Sequence, residues 1–310
     1  MPNLTVPALF GPTGVGKTAI AIALAERLRA AGENPVAVSA DALQLYAGIE
    51  ILTGAASPRE RSRLEHRLLG VVPVDATMSA GDYAARAHAE IDALLASGRR
   101  PIVVGGTGLY LRAALAELDL RPIPEPGIRA RWNAELERHG ARALHTRLAE
   151  RAPGAAARIA PTDSQRVVRA LELLDAGVAP PPVAESQLWT RETRHPTLLA
   201  GVWMERAALY ARIDARVDAM IAAGARAEVE AAVAAGASRG ARQALGFEEL
   251  LVGDDERMKR RTRNYAKRQL TWMRKLPGAL ILDATEASPT ALAAELHDAL
   301  RERDAAGPAS

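Results

Sequence analysis

Short apolar runs alternate with longer segments of helical period along the first hundred residues. Val6 to Phe10 is apolar throughout and reads as a buried strand, and Thr18 to Arg29 carries the pattern of a helix behind it. A second strand is predicted in "NPVAVSADALQLY", ending near Ser39, with Asp41 just beyond it. "GDYAARAHAEIDALLASGRR" is an amphipathic helix, and "PIVVGGTGLYL" after it reads as another strand. Strands alternating with helices predict a parallel, doubly wound sheet. Ligands on such sheets collect beyond the carboxyl ends of the strands. Asp41 and the "GGTG" of 105 to 108 both fall on that rim.

After about residue 114 the pattern changes. "RPIPEP" breaks the chain, and helical segments rich in Ala and Arg run from Ile128 to about Gly177, followed by a loop with "PPP" at 180 to 182. A strand signal returns in "HPTLLAGVWM", long helices follow, and "ALILDA" reads as a last short strand. The final residues, "RDAAGPAS", are expected to fray. The division expected is an α/β core from residues 1–113 and 200–310, with 114–199 as a helical insertion. There is no internal repeat.

Composition narrows the chemistry. Of 310 residues, 48% are hydrophobic and 25% charged, as in a soluble protein with a sizeable core. Cysteine is absent, which excludes disulfides, thiolate metal sites and a cysteine nucleophile. "MPNLTVPALF" lacks the basic and apolar regions of a secretory signal, and no apolar run is long enough for a membrane helix. A soluble cytoplasmic protein is expected. The net charge of +3 is uneven: residues 257 to 275 hold nine Lys/Arg and no Asp/Glu, which leaves −6 on the rest. Such a local basic stripe suggests a polyanionic partner met at one place.

The sharpest motif is "GPTGVGKT", Gly11, Pro12, Thr13, Gly14, Val15, Gly16, Lys17 and Thr18, between a predicted strand and helix. In such a loop the backbone amides and helix N-terminus bind phosphate oxygens, Lys17 adds a point charge and Thr18 can ligate magnesium. The motif specifies a polyphosphate without specifying ATP. Lys17 is one of only four lysines among 40 basic residues. Asp41 is the one carboxylate well placed on the early rim, because "PIVVGG" ends in glycines; it fits equally as the N-cap of a helix "ALQLY". At 100° per residue Arg260, Arg261, Arg263, Lys267, Arg268, Arg274 and Lys275 share one arc, opposite Tyr265, Trp272, Met273 and Leu276. Seven cations without an interleaved acid repel each other unless an anion lies against them, so nucleic acid stands beside a solvated charged face as an explanation. "DSQRVVRALELL" gathers Gln165, Arg166 and Arg169 at a helix start, and Arg242 in "ARQALGF" fits a helix end.

In order along nearly the whole chain, "GPTGVGKT", "SADALQLYAGIEILTGAAS", "EHRLLGVV", "SAGDYAARA", "VVGGTGLYLRAAL", "DSQRVVRALE", "RQALGFEEL" and "AKRQLTWMRKL" resemble the tRNA dimethylallyltransferases of bacterial type. The resemblance implies a P-loop NTPase-like parallel sheet core with an inserted all-helical domain. It implies transfer of a dimethylallyl group from dimethylallyl diphosphate, with Mg2+, to the exocyclic N6 amine of adenine 37 in tRNA, releasing diphosphate. The loop would then hold the donor's diphosphate. Asp41 would be the general base, Thr13 would donate to the bridging oxygen, and Arg242 would reach the diphosphate. The tRNA anticodon stem-loop would meet Asp41, Ala42, Leu43, Gln44 and Thr107; Arg129, Gln165, Arg166, Val167, Val168 and Arg169 of the insertion; and Arg242, Lys267, Arg268 and Lys275. The attacked base would leave its stack to enter. A monomer without membrane contact is implied.

Two departures stand out. Ala42 replaces a frequent serine, and Glu248 occupies a position where a basic or polar residue is expected. Three rivals remain: a small-molecule P-loop kinase, an adenylate isopentenyltransferase, and an RNA-binding protein with a relic loop. The first leaves the basic stretch and the Arg-bearing insertion without a purpose, and the second would need no large RNA-binding insertion. Intact Thr13, Lys17, Thr18 and Asp41 oppose the third.

Overall fold

The structure is a computed structural model that describes residues 4–121, 125–180, 188 and 190–306. The middle of "RPIPEP", the last two prolines of "PPP" and the final four residues lie outside the described residues.

Six parallel strands form one sheet: β1 Val6–Phe10, β2 Pro35–Ser39, β3 His66–Arg67, β4 Arg100–Gly105, β5 Thr197–Trp203 and β6 Leu280–Asp283, in the order β3-β2-β4-β1-β5-β6. β1 and β2 are buried along their whole length, which explains why both read as unbroken apolar runs. Edge strand β3 is two polar residues and carries no such signal. Helices cover both faces. The helix Lys17–Ala30 and the last helix, Pro289–Ala306, share one apolar cluster with Leu9, Ile102 and Val202. On the other face Tyr83, Ile91, Leu111, Phe247 and Met273 pack over Phe10, Val38 and Val103.

The last helix continues to Ala306, so the expected fraying does not begin at Arg303. A polar clasp holds it. Arg100, 2% exposed, donates to Thr5 O at 2.7 Å and to the Asp304 carboxylate at 2.8 Å, and it also pairs with Glu33. Asp304 in turn accepts the Thr5 N–H at 3.0 Å.

A second compact unit spans Arg121–Ser186, narrower than the 114–199 read from the sequence; the first comprises Met1–Leu120 and Gln187–Ser310. The flanks stay with the sheet for specific reasons. In the helix Gly108–Leu115, Tyr110 stacks on Tyr83 at 4.6 Å and Arg112 donates to Glu192 O. Arg194 and His195 both bind Asp92. The smaller unit is helical, with Trp132, Leu144, Leu148, Val167 and Leu171 as its core. Its longest helical run, Pro126–Arg151, is broken at Gly140, where φ is 75°.

β4 ends against β2. A Cβ on Gly105 would lie 2.1 Å from Ala40 O, and Ala40 is itself tied to β4, its N–H donating to Val104 O at 2.8 Å. Gly105→Ala is therefore expected to destabilise the protein by about 1–3 kcal/mol through overpacking. Gly127→Ala, where a Cβ meets open space, should be close to neutral. Urea midpoints of the two variants check this; equal midpoints would mean that the strand ends yield.

Candidate active site

Beyond β1 the chain turns through Gly14 and Gly16, with φ of 82° and 102°, into the helix Lys17–Ala30. Val15 is buried and anchors the loop from below. The Lys17 ammonium folds back on the loop, donating to Gly11 O at 2.8 Å and Pro12 O at 2.9 Å. Burial lowers its pKa to about 8; nearby Asp41 counters this and nearby Arg216 adds to it. Arg216, on the helix Arg206–Ala222, donates to Gly54 O at 3.1 Å. Burial lowers its pKa too, against the pull of Asp41 and Glu60. The Arg212 guanidinium, one turn earlier, lies 3.3 Å from where a Cβ on Gly16 would sit.

These groups open onto a cavity of about 1090 Å³, lined by Thr13, Gly14, Gly16, Lys17, Thr18, Asp41, Leu43, Gln44, Arg212 and Arg216. Its remaining wall includes the apolar side chains of Ile213, Val217, Met220 and Met258. The phosphate loop and Asp41 thus share one chamber. Arg212 and Arg216 escaped the sequence reading, and the only signal was two arginines four apart, on one helix face, in "RIDAR".

Asp41 does not cap a helix. Residues 42–45 form turns, and the Asp41 carboxylate accepts the Leu43 N–H at 3.1 Å, an Asx turn. The turn is held from beneath, where the Tyr83 hydroxyl donates to Ser39 O at 2.9 Å. Gln44 donates to Gly54 O at 3.2 Å. Thr107 accepts the Ala42 N–H at 3.5 Å and lies 3.4 Å from the Tyr265 hydroxyl. Burial, with Asp41 nearby, pushes the Tyr265 pKa up to about 12. One turn further along the same helix, Asp255–Met273, Gln269 accepts the Thr13 N–H at 2.9 Å and donates to Gly106 O at 2.8 Å. Tyr265 and Gln269 therefore join the loops after β1, β2 and β4. Gln269 is not marked in the sequence, because a glutamine in a basic run carries no signal of its own.

Other expected residues lie elsewhere. Arg242 does not line the cavity; it binds the Glu248 carboxylate at 2.9 and 3.2 Å and lies over Phe247. Glu248, noted as a departure, is its partner. The basic helix is also less self-repelling than its sequence implies. Acids on neighbouring elements neutralise part of it: Asp214 holds Arg263 at 2.6 Å, Asp218 holds Lys259 at 2.7 Å, and Glu249 holds Arg257 and Arg261. Arg260, Lys267, Arg268 and Arg274 stay exposed with no ion pair among the described residues, and Lys275 is exposed beside them. Lys267 lies over Tyr210 and Arg268 over Tyr265.

In the helical unit Gln165 and Arg166 are exposed, Arg166 pairing with Asp163 at 3.3 Å. Arg129 and Arg169 both bind Glu172, which is 0% exposed. Val167 and Val168 present no side chain to the surface. Both side chains are buried in the unit's core, because the helix Ser164–Asp175 is amphipathic and they occupy its apolar face.

With this geometry in hand, comparison with known proteins is specific. The family model described as IPP transferase matches residues 44–276. A tRNA dimethylallyltransferase of Thermobifida fusca is 42% identical over 284 residues, 88% of each chain. One of Rhodospirillum centenum is 43% identical over 295 residues, 87% of this chain and 89% of the other. Among solved structures, the tRNA isopentenylpyrophosphate transferase of Bacillus halodurans superposes with a TM-score of 0.70 at 30% identity, covering 97% of both chains. A eukaryotic dimethylallyltransferase acting on tRNA gives 0.69 at 26% identity, covering 91% of this chain and 74% of its own.

Lys17 sets a pH dependence for anions at the loop. With a pKa of about 8 it is charged below that value and loses its proton above it. Affinity for inorganic diphosphate should therefore weaken as pH rises past about 8, by up to about tenfold per pH unit. In Lys17→Arg the cation persists, so its profile should lack this limb. Calorimetric titrations of both proteins between pH 7 and 9.5 test this, and superimposable profiles would remove Lys17 from the anion site.

Proposed function

This chain belongs to the IPP transferase family, and from that premise we propose how the groups around its cavity divide the reaction. The activity is transfer of a dimethylallyl group to tRNA, with dimethylallyl diphosphate as donor. The acceptor atom we assign is the exocyclic N6 of adenine 37. The observation that carries this division of roles is the chamber shared by Asp41, Thr13 and Lys17.

The donor's diphosphate lies on the loop amides, with Lys17 and Arg216 compensating its charge. Arg216 takes the place that the sequence reading gave to Arg242. As the carbon–oxygen bond breaks, its electron pair leaves with the diphosphate, and the Thr13 hydroxyl donates to the oxygen that gains charge. The nitrogen lone pair forms the new carbon–nitrogen bond, and Asp41 accepts the amine proton that must depart. Ile213, Val217, Met220 and Met258 enclose the five-carbon chain and keep water from the allylic centre. Magnesium fits the chemistry of the site. No cluster of three acidic or histidine ligands exists among the described residues, yet the ion draws most of its ligands from phosphate and water. Thr18 and the bound diphosphate would hold it, and it would neutralise charge on the leaving group.

The defining assay combines the protein, dimethylallyl diphosphate, magnesium and unmodified tRNA, followed by mass analysis of digested nucleosides. A dimethylallyl adduct on the adenosine 3′ of the anticodon is expected; ATP hydrolysis without any adduct would favour a kinase. Asp41→Asn keeps the size and one acceptor oxygen but cannot take the proton. It should slow single-turnover transfer by about 10²–10⁴ while donor and tRNA affinities stay near native. A large affinity loss with little change in rate would instead make Asp41 a binding group.

The pairing pattern of the basic helix also sorts its cations. Arg268→Ala with Arg274→Ala should lower the salt slope of tRNA binding by about 2. Arg261→Ala, which removes a cation already held by Glu249, should lower it less. Filter-binding titrations across salt concentration check this ordering.

A further inference from the structure

We propose that Gln269 is a positioning residue of the transfer step, fixing the phosphate loop so that the Thr13 hydroxyl is aimed at the oxygen of the leaving group. The inference rests on the role given above to Thr13.

Gln269 is 3% exposed and sits on the inner face of a helix whose outer face carries Lys267, Arg268 and Arg274. Both ends of its amide are used, and in opposite directions. Oε1 accepts from the Thr13 N–H at 2.9 Å, and Nε2 donates to Gly106 O at 2.8 Å. A neutral amide supplies an acceptor and a donor from one side chain; an ionised glutamate here offers the Gly106 carbonyl no proton. The absence of a side chain at Gly106 leaves room for this group. A Cβ on Gly106 would lie 2.4 Å from Nε2 and 3.5 Å from the Lys17 ammonium. The amide therefore occupies the space that any other residue at 106 would need, directly beside the loop's cation.

The consequence falls on Thr13. Loop amides of this motif ordinarily point at phosphate, but the Thr13 N–H is committed to Gln269. That bond sets the plane of the Pro12–Thr13 peptide, and with it the direction in which the Thr13 side chain leaves the backbone. Tyr265 extends the tie through Thr107 to Ala42, next to Asp41. A hydroxyl that must meet an oxygen only as charge develops there is sensitive to small displacements, and an error of about 1 Å can cost about 10² in rate.

The test is a split between rate and affinity. Gln269→Met preserves the bulk and removes both bonds; Gln269→Glu preserves the bond to Thr13 and removes the one to Gly106. Single-turnover transfer, donor affinity and tRNA affinity are measured for each. For Gln269→Met a rate loss of about 10- to 100-fold is expected, and a smaller one for Gln269→Glu, with both affinities within about threefold of wild type, since Gln269 faces away from the RNA-facing cations. Thr13→Ala is measured alone and combined with Gln269→Met, and the pair should lose much less than the product of the single losses, as for two groups acting through one contact. Should Gln269→Met fail to fold, Gln269→Leu, which also removes both bonds, carries the test by the same comparison. A rate within twofold of wild type in the folded variant, losses that simply multiply, or a loss confined to tRNA affinity would each overturn the proposal. A Thr13→Ala protein with intact rate would instead remove the role assigned to Thr13, whatever Gln269 does.

Discussion

Two buried cations with one carboxylate nearby, in a partly apolar chamber, are the constraint that organises this molecule. Lys17 and Arg216 are both driven toward their neutral forms by burial, and Asp41 is the nearby charge that opposes this for both. Such an arrangement is incomplete without an anion. A bound diphosphate restores the balance, and its departure as a leaving group is eased by the same field, which needs no reorganisation at that moment. The sheet serves this arrangement by ending β1, β2 and β4 at one level, so that three loops converge.

Much of the frame was legible in the sequence because it rests on local signals. β1, β2, β4, β5 and β6 are apolar runs, the loop glycines have a fixed spacing, and the helix Ala80–Ala96 has a plain amphipathic period. What was illegible depends on tertiary approach. Gln269 acquires its role only because Thr13, 256 positions earlier, comes to meet it. Arg216 becomes a cavity group only because its helix is laid beside the loop. The charge of the basic helix was misjudged for the same reason: the acids that answer it, Asp214, Asp218 and Glu249, belong to other helices. Asp41 was found, but a turn and a helix start were indistinguishable there, since an aspartate stabilises either by accepting a nearby amide proton.

The helix Asp255–Met273 shows how one segment meets two demands. Its inner face carries neutral polar groups at four-residue spacing, Tyr265 and Gln269, which bind loop backbone and hydroxyl groups. Its outer face carries the cations. The glycines of "GGTG" belong to this packing: Gly105 admits the backbone just after β2, Gly106 the Gln269 amide and Gly108 the Trp272 ring.

In the helical unit, the carboxylate of Glu172 is wholly enclosed while gripping Arg129 and Arg169. An arginine on an open surface samples many rotamers and must surrender that freedom when a partner fixes it. Here part of that ordering is complete before any encounter. A polyanion meeting these two guanidiniums would immobilise groups that are already held, and about 0.5–1.5 kcal/mol of side-chain ordering for each would not have to be offset at the moment of binding. The enclosed acid thus acts as an entropic preset for the surface above it.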